Sequence, residues 1–143
     1  MQINKKRYND LDSYYKRKYN KKIIKLPLDG GFTCPNRDGT LSKRGCIYCS
    51  DEGAGEWTYK SAGDIKAQIA YQKSNLSKQG KDKGYIAYFQ SFTNTYGDVG
   101  KMRGMFYSAL EDEDIVGLSI ATRADCLPDE VLDLLNAVSY THL

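Results

Sequence analysis

Residues 22–49, KIIKLPLDGGFTCPNRDGTLSKRGCIYC, run from an apolar segment through a glycine turn into a loop that carries three cysteines. Ile23, Ile24, Leu26 and Leu28 predict a short strand that ends at Asp29-Gly30-Gly31, a turn signal. Beyond it, Cys34, Cys46 and Cys49 follow the spacing C-x11-C-x2-C. The two-residue gap lets Cys46 and Cys49 converge on one metal centre, and the longer arm can bring Cys34 round as a third thiolate. Gly39, Gly45, Gly53 and Gly55 give the loop backbone freedom to wrap a bulky centre. In parallel α/β proteins, ligands bind in such loops, beyond the carboxyl ends of strands.

The rest of the chain extends this beginning into a repeating pattern. Ile65, Ile69 and Leu76 predict a helix starting near Ser61, with Ser61 as its cap and Asp64 in its first turn, closing in the polar SKQGKDKG linker. Residues 84–92, GYIAYFQSF, read as a second strand rich in aromatic and β-branched residues. Met102, Met105, Phe106 and Leu110 recur at helical spacing before an acidic EDED turn. DIVGLSIATR, residues 114–123, is nearly continuous in apolar residues, as expected of a strand covered on both faces. PDEVLDLLNAV then opens a further helix, with Pro128, Asp129 and Glu130 suited to its first turn. Strand and helix alternate three times, which predicts an α/β fold of parallel βα units. Three units leave a sheet edge exposed and fall short of a closed barrel, so a fragment is expected. A small three-layer domain or an obligate oligomer is the alternative.

With 143 residues, 41% of them hydrophobic, the chain has enough apolar material for a core. No run approaches the roughly 18–20 apolar residues of a membrane span, and the first twenty residues lack the apolar block of a signal peptide. A soluble, cytoplasmic protein without a membrane partner is expected. In that reducing compartment a C-x2-C unit points to metal binding or catalysis rather than a structural disulfide. The formal charge of +3 is unevenly placed: residues 5–25 hold nine Lys or Arg against two Asp, interleaved with Tyr8, Tyr14, Tyr15 and Tyr19. Such a segment can bind phosphates and stack on unpaired bases. It reads equally well as a solvated helix or arm whose tyrosines pack on the domain, because a basic patch carries no base-specific information.

Spacing leaves the nature of the centre open. A structural zinc needs four ligands. Cys126 or His142 can supply the fourth, but neither lies in a second close C-x2-C pair. Three thiolates suit a 4Fe-4S cluster with one open iron, and a redox thiol pair is a third reading. Cys126 reads as a buried small hydrophobe. Tyr48, between two of the cysteines, suits either a place beside a cofactor ring or an aromatic lid.

Three blocks carry a resemblance: LPLDGGFTCPNRDGTLSKRGCIYCSDEG, YFQSFTNTYG and VGLSIATRADCLPDEVLDLL. In this order they resemble the YtqA/YhcC-type radical S-adenosylmethionine proteins, relatives of the radical domain of the Elp3 class, over most of residues 20–137. The resemblance implies part of a (β/α)6 partial barrel in a longer protein, with a 4Fe-4S cluster and S-adenosyl-L-methionine as cofactors. It implies Cys34, Cys46 and Cys49 as cluster ligands and Tyr48 near the adenine. Gln90 and Asn94 are implied at the methionine part of the cofactor, because amides both donate and accept. Thr122 and Arg123 are implied at a strand end facing the same site, Arg123 meeting a carboxylate or phosphate or else forming a surface ion pair.

The implied activity is reductive cleavage of S-adenosylmethionine to a 5′-deoxyadenosyl radical for modification of a tRNA wobble uridine, with flavodoxin or ferredoxin as electron donor. A metabolite or protein substrate is the rival within that chemistry, and a zinc-stabilised nucleic-acid-binding module is the rival outside it; a third reading takes this chain as an inactive fragment that retains the cluster ligands. Two departures stand out: Ala124 occupies a position where these proteins carry proline, and VSYTHL replaces the continuation of the barrel. The expected organisation is a basic, tyrosine-rich extension over residues 1–22, the amino-terminal portion of a radical domain over 23–137, and an atypical tail over 138–143.

Overall fold

Each of the three apolar runs becomes a strand of a single parallel sheet. The computed structural model describes residues 7–56, 58, 64–76 and 82–140. Its elements are α1 (Leu11–Tyr19), β1 (Lys22–Leu28), α2 (Ile65–Leu76), β2 (Lys83–Phe89), α3 (Val99–Leu110), β3 (Ile115–Ile120), a 3-10 turn (Ala124–Cys126) and α4 (Asp129–Tyr140). The strand order is β1-β2-β3, open at both edges. β1 and β2 pair from Lys22 with Lys83 to Leu28 with Phe89. β2 and β3 pair from Tyr85 with Ile115 to Phe89 with Ile120, with a register shift at Tyr85/Ile86. Because the strands are parallel, Leu28, Phe89 and Ile120 end side by side. The three loops that follow therefore emerge on one rim.

Alternation along the strands decides what the helices cover. Leu26, Leu28, Tyr85, Ala87 and Phe89 are buried together with Ile65 and Ile69 of α2, Met102 and Phe106 of α3, and Val131 and Leu134 of α4. Phe89 meets Phe106 edge to face, with centroids 5.0 Å apart. Burying side chains of this size stabilises by about 1.5–3 kcal/mol each relative to exposure. Gln68 is a polar exception, fully buried in α2. Its amide accepts from the Asp29 N–H at 2.8 Å and donates to the Asp29 carbonyl at 2.9 Å, which satisfies both atoms and anchors the entrance of the cysteine loop.

Several boundaries differ from the sequence expectation. Residues 11–19, read as a solvated helix or arm, form a helix with none of its residues buried. Asp10 caps it by accepting from the Ser13 N–H, and Asn20 ends it in the left-handed conformation at φ 52°. The ring of Tyr15 lies between those of Tyr14 and Tyr19, and the Tyr19 hydroxyl donates to the Val116 carbonyl at 3.4 Å. Part of the basic segment, residues 1–6, lies outside the described residues, as do Ser61 and His142. Asp64 does the capping of α2: its carboxylate accepts from the Ala67 N–H at 2.9 Å. β2 stops at Phe89 rather than 92, and the chain turns away beyond it, with Phe92 at a left-handed φ of 61°. β3 stops at Ile120, and Thr122 and Arg123 belong to the following loop.

Candidate functional site

The cysteine loop, residues 29–56, folds back over the carboxyl ends of all three strands. Two backbone bonds stitch it to the segment after β2, Thr93 N–H to Thr33 O and Phe92 N–H to Gly53 O, while Gln90 N–H to Leu28 O and Ala121 N–H to Phe89 O join the strand ends beneath it. A cleft of about 270 Å³ results, lined by Cys34, Cys46, Tyr48 and Cys49 from the loop, Tyr88, Gln90 and Phe92 from the β2 end, and Thr122 and Arg123 from the β3 end. Cysteines up to fifteen positions apart thus share one wall with residues some forty and seventy positions further on. Local sequence spacing alone does not contain that meeting.

Of the residues singled out from the sequence, Cys34, Cys46, Cys49, Tyr48, Gln90, Thr122 and Arg123 all line this cleft. Asn94 does not. It is fully buried, and its amide nitrogen donates to the Phe89, Ser91 and Ala121 carbonyls at 3.0, 3.0 and 3.2 Å. Asn94 thereby ties the end of β2 to the end of β3. Gln90 lines the cleft while its amide donates to the Ala54 carbonyl. Thr122 shares a hydroxyl hydrogen bond with Thr95. Arg123 grips Asp125 with both Nε and Nη2, at 2.9 and 2.7 Å, which holds the Asp125 carboxyl below its ordinary range. Cys126 is buried, and burial raises its thiol above the ordinary value; a packing role accounts for it.

The thiols are not equivalent. Asn36 Nδ2 donates to Cys46 Sγ at 3.1 Å. That bond, then one from the Tyr48 hydroxyl, holds Cys46 below the ordinary thiol range, and the Arg123 and Arg37 charges act in the same direction. The Tyr48 hydroxyl is raised in turn by its bond to Cys46. Cys34, Cys46 and Cys49 are all free and half-buried. Among the described residues no group of three or more His, Cys, Asp or Glu side chains is placed to hold a metal ion. A tetrahedral zinc with Zn–S distances of about 2.3 Å needs sulfurs about 3.8 Å apart. The three thiols share a cleft without closing on such a point, and Cys126 lines a separate, larger hollow beside α4. The donor set is three sulfurs, the kind that iron–sulfur clusters take. The donors fit a thiolate-ligated group in number and type alone.

Sequence reading missed Asn36, Arg37, Tyr88 and Phe92. Asn36 and Arg37 lie inside the quoted cysteine stretch, but nothing in their spacing shows that they turn back onto it. Phe92 reads as one more strand aromatic. Its left-handed backbone becomes visible only in the folded chain.

Comparison with known proteins adds descent. The chain is 46% identical over 130 residues to the uncharacterized protein YtqA of Bacillus subtilis, covering 91% of this chain and 40% of that protein. It is 42% identical over 119 residues to YhcC of Escherichia coli K12, covering 83% and 37%. It is 40% identical over 124 residues to the uncharacterized protein MJ0486 of Methanocaldococcus jannaschii, covering 85% and 37%. The chain is homologous to these proteins. It spans about two fifths of the length of these relatives. No family model and no solved structure matches it.

Proposed function

We propose that this chain carries the cofactor-binding part of a radical S-adenosylmethionine enzyme. The supporting observation is the meeting of three thiols with Tyr48, Gln90, Thr122 and Arg123 on one cleft at the carboxyl ends of parallel strands. Cys34, Cys46 and Cys49 would hold a 4Fe-4S cluster, and the cleft beside them would take S-adenosyl-L-methionine. When bound, these groups supply a 5′-deoxyadenosyl radical that abstracts hydrogen from a substrate.

The chain's own residues bind, orient and shield. Asn36 steadies the thiolate form of Cys46 through its N–H. Tyr48 offers a ring to the adenine. The Asp125 pair uses Nε and Nη2 of Arg123, which leaves Nη1 to meet the cofactor carboxylate. Gln90, held by Ala54, keeps its amide oxygen for the cofactor amine. Asn94 acts from beneath by joining the strand ends. Tyr88 and Phe92 present ring surface that excludes water.

The substrate class we propose is tRNA, at a wobble uridine, with a flavodoxin- or ferredoxin-type electron donor in the cytoplasm. Its support is the basic, tyrosine-bearing segment before β1. Within this reading residues 1–22 serve the nucleic acid and 23–137 the cofactors.

Metal content decides the central claim. After anaerobic reconstitution with iron and sulfide, about four irons and four sulfides per chain are expected. Cys34→Ser, Cys46→Ser and Cys49→Ser should each abolish them while Cys126→Ser does not. Stoichiometric zinc retained without iron would replace the proposal with a zinc-stabilised module.

A further inference from the structure

Arg37 lies between the two arms of the cysteine loop and touches both. From the first arm, between Cys34 and Cys46, its guanidinium Nη2 donates to the Cys49 carbonyl at 3.1 Å and to the Ser50 carbonyl on the second arm. The guanidinium lies over the Phe92 ring, 5.6 Å from its centroid. Phe92 is the residue at the β2 end held at a left-handed φ of 61°, and its N–H donates to Gly53 O at 3.0 Å. A left-handed backbone costs a side-chain-bearing residue about 1–2 kcal/mol, so the surrounding contacts must hold it. The ring fits closely against the second arm: a Cβ at Gly53 would fall 2.5 Å from Phe92 Cδ1, and one at Gly55 would fall 2.1 Å from Ser91 Oγ. Arg37 is only 18% exposed, and its bridge to exposed Asp51 is long, at 4.0 Å. Its guanidinium meets two loop carbonyls and a ring, and it packs against Gly45, where a Cβ would fall 3.0 Å from Nε.

We infer that Arg37 is a positioning residue for the sulfur donors: its guanidinium, stacked on Phe92, clasps the arm after Cys49 to the end of β2 and keeps Cys34, Cys46 and Cys49 on one cleft. This rests on the proposed cluster-binding role of those thiols. Both carbonyl bonds come from the one nitrogen Nη2, so what the site uses is the flat guanidinium, which reaches the two carbonyls while its plane lies over the Phe92 ring. Lysine supplies the charge without that plane.

The test compares the full chain with Arg37→Gln, Arg37→Lys and Phe92→Leu. In the metal-free, reduced protein, amide hydrogen exchange is followed across residues 46–55 and across the strands. In the reconstituted protein, release of iron to a chelator is timed. Removing outer partners of a metal site typically costs 10–100-fold in affinity, so R37Q is expected to release iron at least about tenfold faster. Its exchange should rise at Gly53 and Gly55 while the strand amides stay protected. R37K should behave like R37Q. F92L should show the same loss more weakly, and the double variant R37Q/F92L should be no worse than R37Q alone, since the two act as one clasp.

Wild-type exchange and wild-type release in R37Q would overturn the inference. So would full rescue by R37K, which would assign the effect to charge, or a loss of protection spread over the sheet, which would assign it to general folding. If the wild type takes up no iron while R37Q still exposes 46–55 alone, the clasp stands and the cluster reading falls.

Discussion

At the scale of single residues, two cysteines of one chain are set in opposite environments. Cys46 accepts an N–H from Asn36 and stands near two arginines, so its thiolate is favoured; Cys126 is buried, so its neutral thiol is favoured. The thiolate is the reactive form, and a lowered pKa raises its fraction at pH 8 while a raised pKa reduces it. In the reduced, metal-free chain at pH 8, iodoacetamide should therefore modify Cys46 well before Cys126, by at least about tenfold. Raising the pH should narrow the gap as Cys126 ionises. Equal rates at pH 8, read by mass spectrometry of the peptides, would contradict these environments. Asn36→Ala should slow Cys46 and leave Cys126 unchanged.

At the scale of elements, the helices are started by side chains that sit just before them. Asp98, with extended backbone, accepts from the Lys101 N–H at 2.6 Å and so satisfies one orphan donor of α3. Asp98→Ala should cost about 1 kcal/mol, or roughly 3–5 °C in the thermal midpoint. Asp98→Asn should restore most of it, because an asparagine oxygen accepts the same bond. A midpoint unchanged in D98A would show that packing of Met102 and Phe106 alone holds the helix start. The same logic explains what was legible at α2. Apolar spacing at Ile65 and Ile69 located that helix correctly, whereas the capping role belongs to Asp64, whose carboxylate reaches Ala67. Gln68 was invisible in the spacing because a buried amide is accepted only where the Asp29 backbone comes to meet it.

At the scale of the whole molecule, the basic helix precedes β1 in the chain and the cysteine cleft follows it. α1 leads into β1 at Lys22, and the cleft lies beyond Leu28; six strand steps of about 3.3 Å put roughly 20 Å between the two ends of that strand. Lys16, Arg17 and Lys18 are exposed along α1, with Tyr14 beside them. A long nucleic acid can contact both ends at once, whereas a small metabolite cannot. Filter binding of tRNA by the full chain should weaken steeply with salt. Replacing Lys16, Arg17 and Lys18 together by Gln should reduce the log–log slope by about two to three. Salt-insensitive binding, or a slope the triple variant leaves unchanged, would remove tRNA as the proposed substrate. No helix among the described residues is long and apolar enough to cross a membrane.

Alternating apolar runs, capping residues and glycine turns determined the elements and their parallel order, because these signals depend on neighbours within a few positions. They showed a cysteine loop following a strand, and so the rim on which a ligand would sit. Only the tertiary structure decided which side chains share that rim. Parallel register brings the ends of β1, β2 and β3 level, so residues far apart in the chain become neighbours. That is why Gln90 and Thr122 face the cleft while Asn94, four residues beyond Gln90, is buried beneath it as a brace. It is also why Arg37 and Phe92 went unread: a guanidinium over a ring and a left-handed phenylalanine are consequences of the loop closing on the sheet, and no local spacing encodes that closure.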